Sequence, residues 1–211
     1  MYKDKNQIYL NIYNQIKEDI IERINFFKRI WEQGDNKDIL IELTFCLLTP
    51  QSTARRADIV LQNLIKKNLL ENLEYEKIRE ELKFVRFMNN KARYIIQNWK
   101  NFPNLKDILM KIDNIYDKRE WLYKNIIGMG MKESSHFLRN IGFVEGIAIL
   151  DRHILRNLVF LDVISEIPKT LSKKKYLEIE KKYLDFCEDI GIPSAHFDFV
   201  VWYKENNEIF K

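Results

Sequence analysis

The chain has 211 residues, of which 46% are hydrophobic and 31% charged, so it can bury a core as one domain or two small lobes. No uninterrupted apolar run reaches the roughly 18 residues of a membrane span, and the N-terminus lacks the apolar stretch of a signal peptide. We therefore expect a cytoplasmic protein with no membrane partner. The net charge of +4 is compatible with a polyanionic partner and does not by itself identify one.

The chain contains two cysteines, Cys46 and Cys187, and three histidines. The cysteines are far apart in sequence and lie among apolar neighbours, which excludes a four-cysteine iron–sulfur cluster and a zinc site with CxxC spacing. We expect both to be buried free thiols, and we expect neither a metal nor another cofactor. Two of the histidines, His136 and His196, are predicted to be packing residues.

The first third of the chain predicts three helices. Apolar residues recur at intervals of three and four from 12 to 31, which is typical of a long amphipathic helix that ends near Gly34. Residues 39–48 are almost continuously apolar and predict a buried helix, which stops where Pro50 disfavours helical geometry in the residue before it. Ser52 or Thr53 then caps a helix that runs to about residue 64.

The remainder of the chain also follows the helical period, and no segment alternates at period two for long enough to form a convincing strand. The sequence therefore predicts an all-α fold. The further predicted helices lie at about residues 75–82, 91–99, 105–110, 118–125, from 131, from 151, 172–190 and 193–204.

The segment from Gly128 to Lys132 is the most informative part of the sequence. One helix ends, two glycines bracket the apolar residue Met129, and the next helix begins at once. Gly128 and Gly130 allow backbone angles that other residues adopt only at a cost, and the turn presents N–H groups at a helix N-terminus, which suits a DNA phosphate. Taken alone, this pattern also fits a tight helix–helix turn without a ligand.

Nineteen positions after Lys132, Asp151 begins another helix. A glycine-X-glycine-X-lysine hairpin followed by such an aspartate resembles the helix-hairpin-helix DNA glycosylases. The resemblance is closest to the compact archaeal 8-oxoguanine DNA glycosylase/AP lyases and extends from about residue 35 to the end. The segments that carry it are residues 48–52, 85–92, 132–142 and 150–155. The chain departs from the pattern at Ile127, where that family often has a proline.

The resemblance implies a single helix-hairpin-helix unit in which two helical subdomains flank an active-site cleft. The expected central subdomain covers about residues 35–125. The expected second subdomain combines about residues 1–34 and 126–211 and carries the hairpin and the catalytic residues.

The resemblance also implies a bifunctional reaction on 8-oxoguanine in double-stranded DNA. Lys132 is the expected nucleophile, which attacks C1′ as a neutral amine and forms a Schiff base before β-elimination cuts the strand on the 3′ side. Asp151 is the expected carboxylate partner, which stabilises positive charge at the sugar or accepts a proton. We expect the protein to act as a monomer.

The damaged nucleotide has to leave the stacked duplex, and the resemblance assigns residues to that step. Gln51 matches the residue that fills the gap. Arg86 or Phe87 would contact the opposite strand, although Phe87 also fits core packing. Arg152 and His153 would hold a backbone phosphate, although His153 also fits a solvated side chain.

Two residues near the C-terminus match the base pocket of this class. Trp202 is expected to stack on the base, with a buried core indole as the alternative. The terminal Lys211 is expected to reach the pocket.

Three alternatives to the bifunctional enzyme stay open: a non-catalytic hairpin module that only binds DNA, a monofunctional glycosylase in which Asp151 activates water, and a glycosylase for a different lesion.

Overall fold

The computed structural model of the protein describes residues 2–210, with side chains from residue 5 onward, so the predicted pocket residue Lys211 lies outside the described residues. This part of the chain is helical and contains no strand, which confirms the predicted all-α fold. None of its helices has both the length and the apolar character to cross a bilayer. The α-helices are α1 (Tyr2–Gln33), α2 (Asn36–Leu48), α3 (Ala54–Lys66), α4 (Leu69–Asn72), α5 (Tyr75–Glu81), α6 (Met88–Asn101), α7 (Leu105–Met110), α8 (Ile115–Asn125), α9 (Met131–Asn140), α10 (Arg152–Phe160), α11 (Lys173–Ile190) and α12 (Ser194–Asn206).

Several helices begin at residues whose side chains cap the first turn. Thr53 caps α3 by accepting the Arg56 N–H at 3.2 Å, which decides between the two candidates for that position. Ser172 caps α11 in the same way through Lys175. The sequence pattern did not predict the single-turn helix α4 or the 3₁₀ turn at Leu82–Phe84, because such short elements lack a measurable period.

The chain divides into two compact units. The terminal unit comprises the residues up to Lys28 and those from Gly142 onward, and the central unit comprises Arg29–Ile141. The boundaries therefore differ from those expected at about residues 34/35 and 125/126. The hairpin and α9 belong to the central unit, because α9 packs against α2 and α8.

The terminal unit has an aromatic core. Helix α1 contributes Tyr9 and Phe27 to it. The Tyr9 ring contacts Phe197 of α12 and the Phe27 ring contacts Phe199, at centroid distances of 5.4 and 6.4 Å. Helix α12 also packs against α10 and α11, and Cys187 of α11 is a buried free thiol, as predicted. This core fixes α10, which Asp151 caps, relative to α12.

The central unit is built around α2, which packs against α3, α6, α7 and α9. Its apolar residues from Ile39 to Leu48 are buried except for the half-buried Ile41, and they include the free thiol Cys46, as the apolar run predicted. His136 of α9 is also buried and its ring contacts Phe45 edge-on at 5.8 Å, which confirms the predicted packing role. A helix that is buried over most of its surface provides a fixed support for the loops at its ends.

Candidate active site

The glycine hairpin of the central unit joins α8 to α9. Gly128 has a φ of +89°, in the region that favours glycine, whereas Gly130 is extended with a φ of −96°. Met129 is 6% exposed and anchors the turn in the core, as predicted. The first turn of α9 leaves backbone N–H groups without partners inside the helix, so the hairpin has the chemistry of an anion site.

Helix α6 holds this hairpin in place. Asn98 is fully buried; its Oδ1 accepts the Ile127 N–H at 3.0 Å, and its Nδ2 donates to the Ile127 carbonyl at 2.9 Å. A proline at position 127 has no N–H and could not form the first of these bonds. The departure from the family pattern at Ile127 therefore adds a hydrogen bond instead of loosening the turn.

We expect Gly128→Ala to lower the stability of the hairpin strongly. A Cβ at Gly128 would lie 2.4 Å from Cδ2 and 3.0 Å from Cγ of Tyr94, so the whole ring would have to move, and alanine disfavours the positive φ. The two effects together should cost about 2–4 kcal/mol. Gly191→Ala is the matched control, because Gly191 has a φ of +71° and open space around its Cα, and it should cost only about 1 kcal/mol. Urea unfolding measures both; equal losses would contradict the steric part.

Lys132 lies in the first turn of α9, directly after the hairpin. Its side chain is 24% exposed, and its Nζ forms an ion pair with Glu133 at 2.9 Å. Glu133 also accepts the Gly130 N–H at 3.2 Å through Oε2. Glu133 thus connects the lysine to the hairpin backbone. Glu133 was not among the predicted site residues, although a glutamate three positions after a helix cap is a known capping pattern.

Gln51 lies in the loop between α2 and α3, residues 49–53, which we call the 49–53 loop. Gln51 is exposed and has a φ of +54°, which is uncommon for a residue with a side chain. Within the loop the Ser52 N–H donates to the Thr49 carbonyl at 2.9 Å. The structure therefore presents Gln51 at the surface of the central unit in a fixed, strained turn.

Lys91 of α6 contacts this loop and was likewise not among the predicted site residues. It is 3% exposed. Its pKa is lowered to about 8, mainly by burial and also by the nearby Lys132, while Glu133 acts in the opposite direction. In the sequence, burial of this lysine is indicated by its place on a face of α6 that is otherwise apolar, with Ala92, Ile95 and Trp99. A lysine at such a position is nevertheless more commonly solvated.

Arg86 and Phe87 precede α6 and are both exposed. Phe87 is 55% exposed, so its alternative role in core packing is excluded. Its φ is +59°, and the Arg86 guanidinium lies 5.7 Å from the centroid of its ring. The central unit therefore carries, on its surface, an aromatic ring with a cation beside it.

Asp151 and Arg152 begin α10 in the terminal unit. Asp151 is half-buried, and its Oδ1 accepts the Ile154 N–H at 2.8 Å, so it is the N-cap that the sequence predicts. This bond fixes the carboxylate orientation. Arg152 is exposed.

Trp202 of α12 lies against α10 in the same unit. Its ring contacts that of His153 edge-on, with centroids 5.7 Å apart, and its Nε1 is buried without a hydrogen-bond partner. The indole as a whole is only half-buried, which argues against a purely structural core role. His153 is also half-buried, with its Nδ1 3.8 Å from Glu205, so its side chain is only partly exposed.

The predicted residues are thus divided between the units. The central unit carries Gln51, Arg86, Phe87, the hairpin glycines and Lys132, and the terminal unit carries Asp151, Arg152, His153 and Trp202. His196 is half-buried, and its Nδ1 lies 3.1 Å from the Tyr13 hydroxyl, as expected for a packing residue. Among the described residues no group of three or more His, Cys, Asp or Glu side chains is arranged to hold a metal ion.

Comparison with known proteins gives consistent matches over almost the whole chain. The Ogg-HhH family, described as 8-oxoguanine DNA glycosylase, matches residues 20–192. An 8-oxoguanine DNA glycosylase/AP lyase of the bacterium Fusobacterium nucleatum is 50% identical over 205 residues, which is 95% of this chain and 94% of that protein. The corresponding protein of the archaeon Methanocaldococcus jannaschii is 40% identical over 200 residues, which is 94% of each chain.

Two solved structures share the fold. The 8-oxoguanine DNA glycosylase of Thermotoga maritima is similar with a TM-score of 0.87 at 33% identity, over 100% of both chains. The M. jannaschii 8-oxoguanine glycosylase/lyase, in complex with a 15mer DNA containing 8-oxoguanine, is similar with a TM-score of 0.88 at 36% identity, over 98% of this chain and 99% of that one. The chain belongs to the 8-oxoguanine DNA glycosylase family of helix-hairpin-helix proteins.

Proposed function

We propose that the protein excises 8-oxoguanine from double-stranded DNA and then cuts the strand on the 3′ side of the resulting abasic site. The observation that carries the proposal is the place of Lys132 in the first turn of α9, after a glycine hairpin, in a chain that is 50% identical to a glycosylase/AP lyase. A half-buried amine beside an anion site can reach a sugar whose phosphate that site binds.

The Lys132 amine attacks C1′ of the nucleotide, and the bond from C1′ to the base breaks. The base leaves with its bonding electron pair and takes up a proton, and the sugar ring opens to a Schiff base with Lys132. Loss of a proton from C2′ then expels the 3′ phosphate by β-elimination, and water releases the lysine. Asp151 stabilises positive charge at the sugar and accepts a proton, held in position by its bond to the Ile154 N–H.

Extrusion of the nucleotide requires groups that bind the DNA from several sides. Gln51 fills the gap in the duplex, and Arg86 and Phe87 contact the opposite strand, a role that their exposure permits. The hairpin at Gly128 and Gly130 binds a phosphate through backbone N–H groups, and Arg152 and His153 hold another part of the backbone.

Trp202 stacks on the extruded base, and Lys211 completes the base pocket. The buried, unpartnered Nε1 of Trp202 supports a ligand at this place, because such an N–H costs about 1–3 kcal/mol until an acceptor reaches it. The protein acts as a monomer.

Borohydride trapping tests the proposed function. Incubation with a duplex that contains one 8-oxoguanine, with borohydride present, should give a covalent adduct at Lys132, and the same duplex with guanine should give none. A DNA-binding module would give neither adduct nor cleavage, and a monofunctional glycosylase would release the base without an adduct. An adduct only with another lesion would show a different specificity.

A further inference from the structure

Lys91 forms an unusual set of hydrogen bonds with the end of α2 and the loop that follows it. Its Nζ donates to the Leu48 carbonyl at 2.7 Å, to the Pro50 carbonyl at 2.8 Å and to Ser52 Oγ at 3.4 Å. An ammonium group has three N–H donors, so this geometry uses its full capacity. The acceptors of the loop, Pro50 and Ser52, are the two neighbours of Gln51 in the sequence.

A buried lysine is a costly way to stabilise a loop, because burial disfavours its charged form. The backbone conformation of Gln51 explains why a buried lysine is needed here. A positive φ persists at a residue with a side chain only when the surroundings determine it, and Lys91 holds the residues on both sides. The ammonium also satisfies the Leu48 carbonyl at the C-terminus of α2, which has no partner inside the helix.

We propose that Lys91 is the positioning residue for Gln51. It holds the 49–53 loop in the conformation that presents Gln51 to the duplex before the nucleotide leaves it. Without this support the loop has to become ordered while the nucleotide is being extruded, which slows that step. The inference rests on the proposed function of Gln51 as the side chain that fills the gap.

Two double-mutant cycles test this role, one for Lys91 and one for a control lysine. Lys91→Met is compared in the wild-type background and in Gln51→Ala, by single-turnover cleavage of a duplex with one 8-oxoguanine. We expect Lys91→Met to lower the rate about tenfold in the wild type and less than about twofold in Gln51→Ala, because residues that act through one another are not additive.

Lys118→Met is the matched control. Lys118 is also a buried lysine of the central unit, and its Nζ donates to the carbonyls of Leu109, at 2.9 Å, and of Ile112. Lys118→Met should lower the melting temperature about as much as Lys91→Met does. It should change the cleavage rate by the same small factor in the wild-type and Gln51→Ala backgrounds. A general effect of destabilisation is thereby separated from an effect on Gln51.

Three outcomes would overturn the proposal: an unchanged rate in Lys91→Met, an equal fold-loss in both backgrounds, or a fold-loss that Lys118→Met reproduces. If Lys91→Met does not fold, Lys91→Gln replaces it in the same cycle, because a glutamine amide keeps two donors without the charge. Failure of the proposed function would appear separately, as a wild-type protein that forms no borohydride adduct with the lesion duplex.

Discussion

Lys132→Gln should lose strand cleavage and the borohydride adduct by at least about a thousandfold, while binding of the lesion duplex changes by less than about tenfold. The amide cannot form a Schiff base, whereas the hairpin beside it stays intact, because Gly130 still donates to Glu133. Single-turnover cleavage measures the first effect, and a binding titration on uncleaved duplex measures the second.

Lys132→Arg separates the amine chemistry from the positive charge at this position. The guanidinium stays protonated, so it can bind a phosphate but cannot attack C1′. It should bind DNA like the wild type and be as inactive as Lys132→Gln. Lys175→Gln serves as a control for the general loss of a lysine, because Lys175 is exposed and forms a local ion pair with Glu178 at 3.2 Å. Substantial cleavage by either Lys132 variant would exclude the lysine mechanism.

Asp151→Asn should lower the cleavage rate about a hundredfold while leaving the fold almost as stable as before. Asparagine is as good an N-cap as aspartate, so the bond to the Ile154 N–H is retained. Only the negative charge is lost, and its interaction with the α10 dipole is worth about 0.3–1 kcal/mol. Cleavage kinetics and thermal melting of the same preparation test both parts.

Capping and catalysis at Asp151 can be distinguished with two more variants. Asp151→Ala should have the same catalytic loss as Asp151→Asn and should lose about 1 kcal/mol of stability in addition. Ser172→Ala removes the equivalent cap from α11, so it should show a similar stability loss with full activity. If Asp151→Asn cleaves DNA at the wild-type rate, Asp151 is a helix cap and has no catalytic role.

The sequence by itself determined the helical architecture and the choice of the two candidate catalytic residues. The apolar period of α1, the continuous apolar run of α2 and the stop at Pro50 are local signals, and each led to an element that the structure contains. The hairpin also has a local cause, because the positive φ of Gly128 is a property of that residue type. Lys132 and Asp151 could be selected because the hairpin lysine and the later N-cap aspartate together resemble a family pattern.

Only the tertiary structure decided which elements share a unit and which side chains support the site. The hairpin belongs with the central unit because α9 packs on α2 and α8, and those contacts join residues far apart in the sequence. Lys91 and Asn98 would be read as solvated side chains of an amphipathic helix, yet their partners are carbonyls up to 43 positions away. Hydrogen bonds of this kind depend on how helices pack, which no local period encodes.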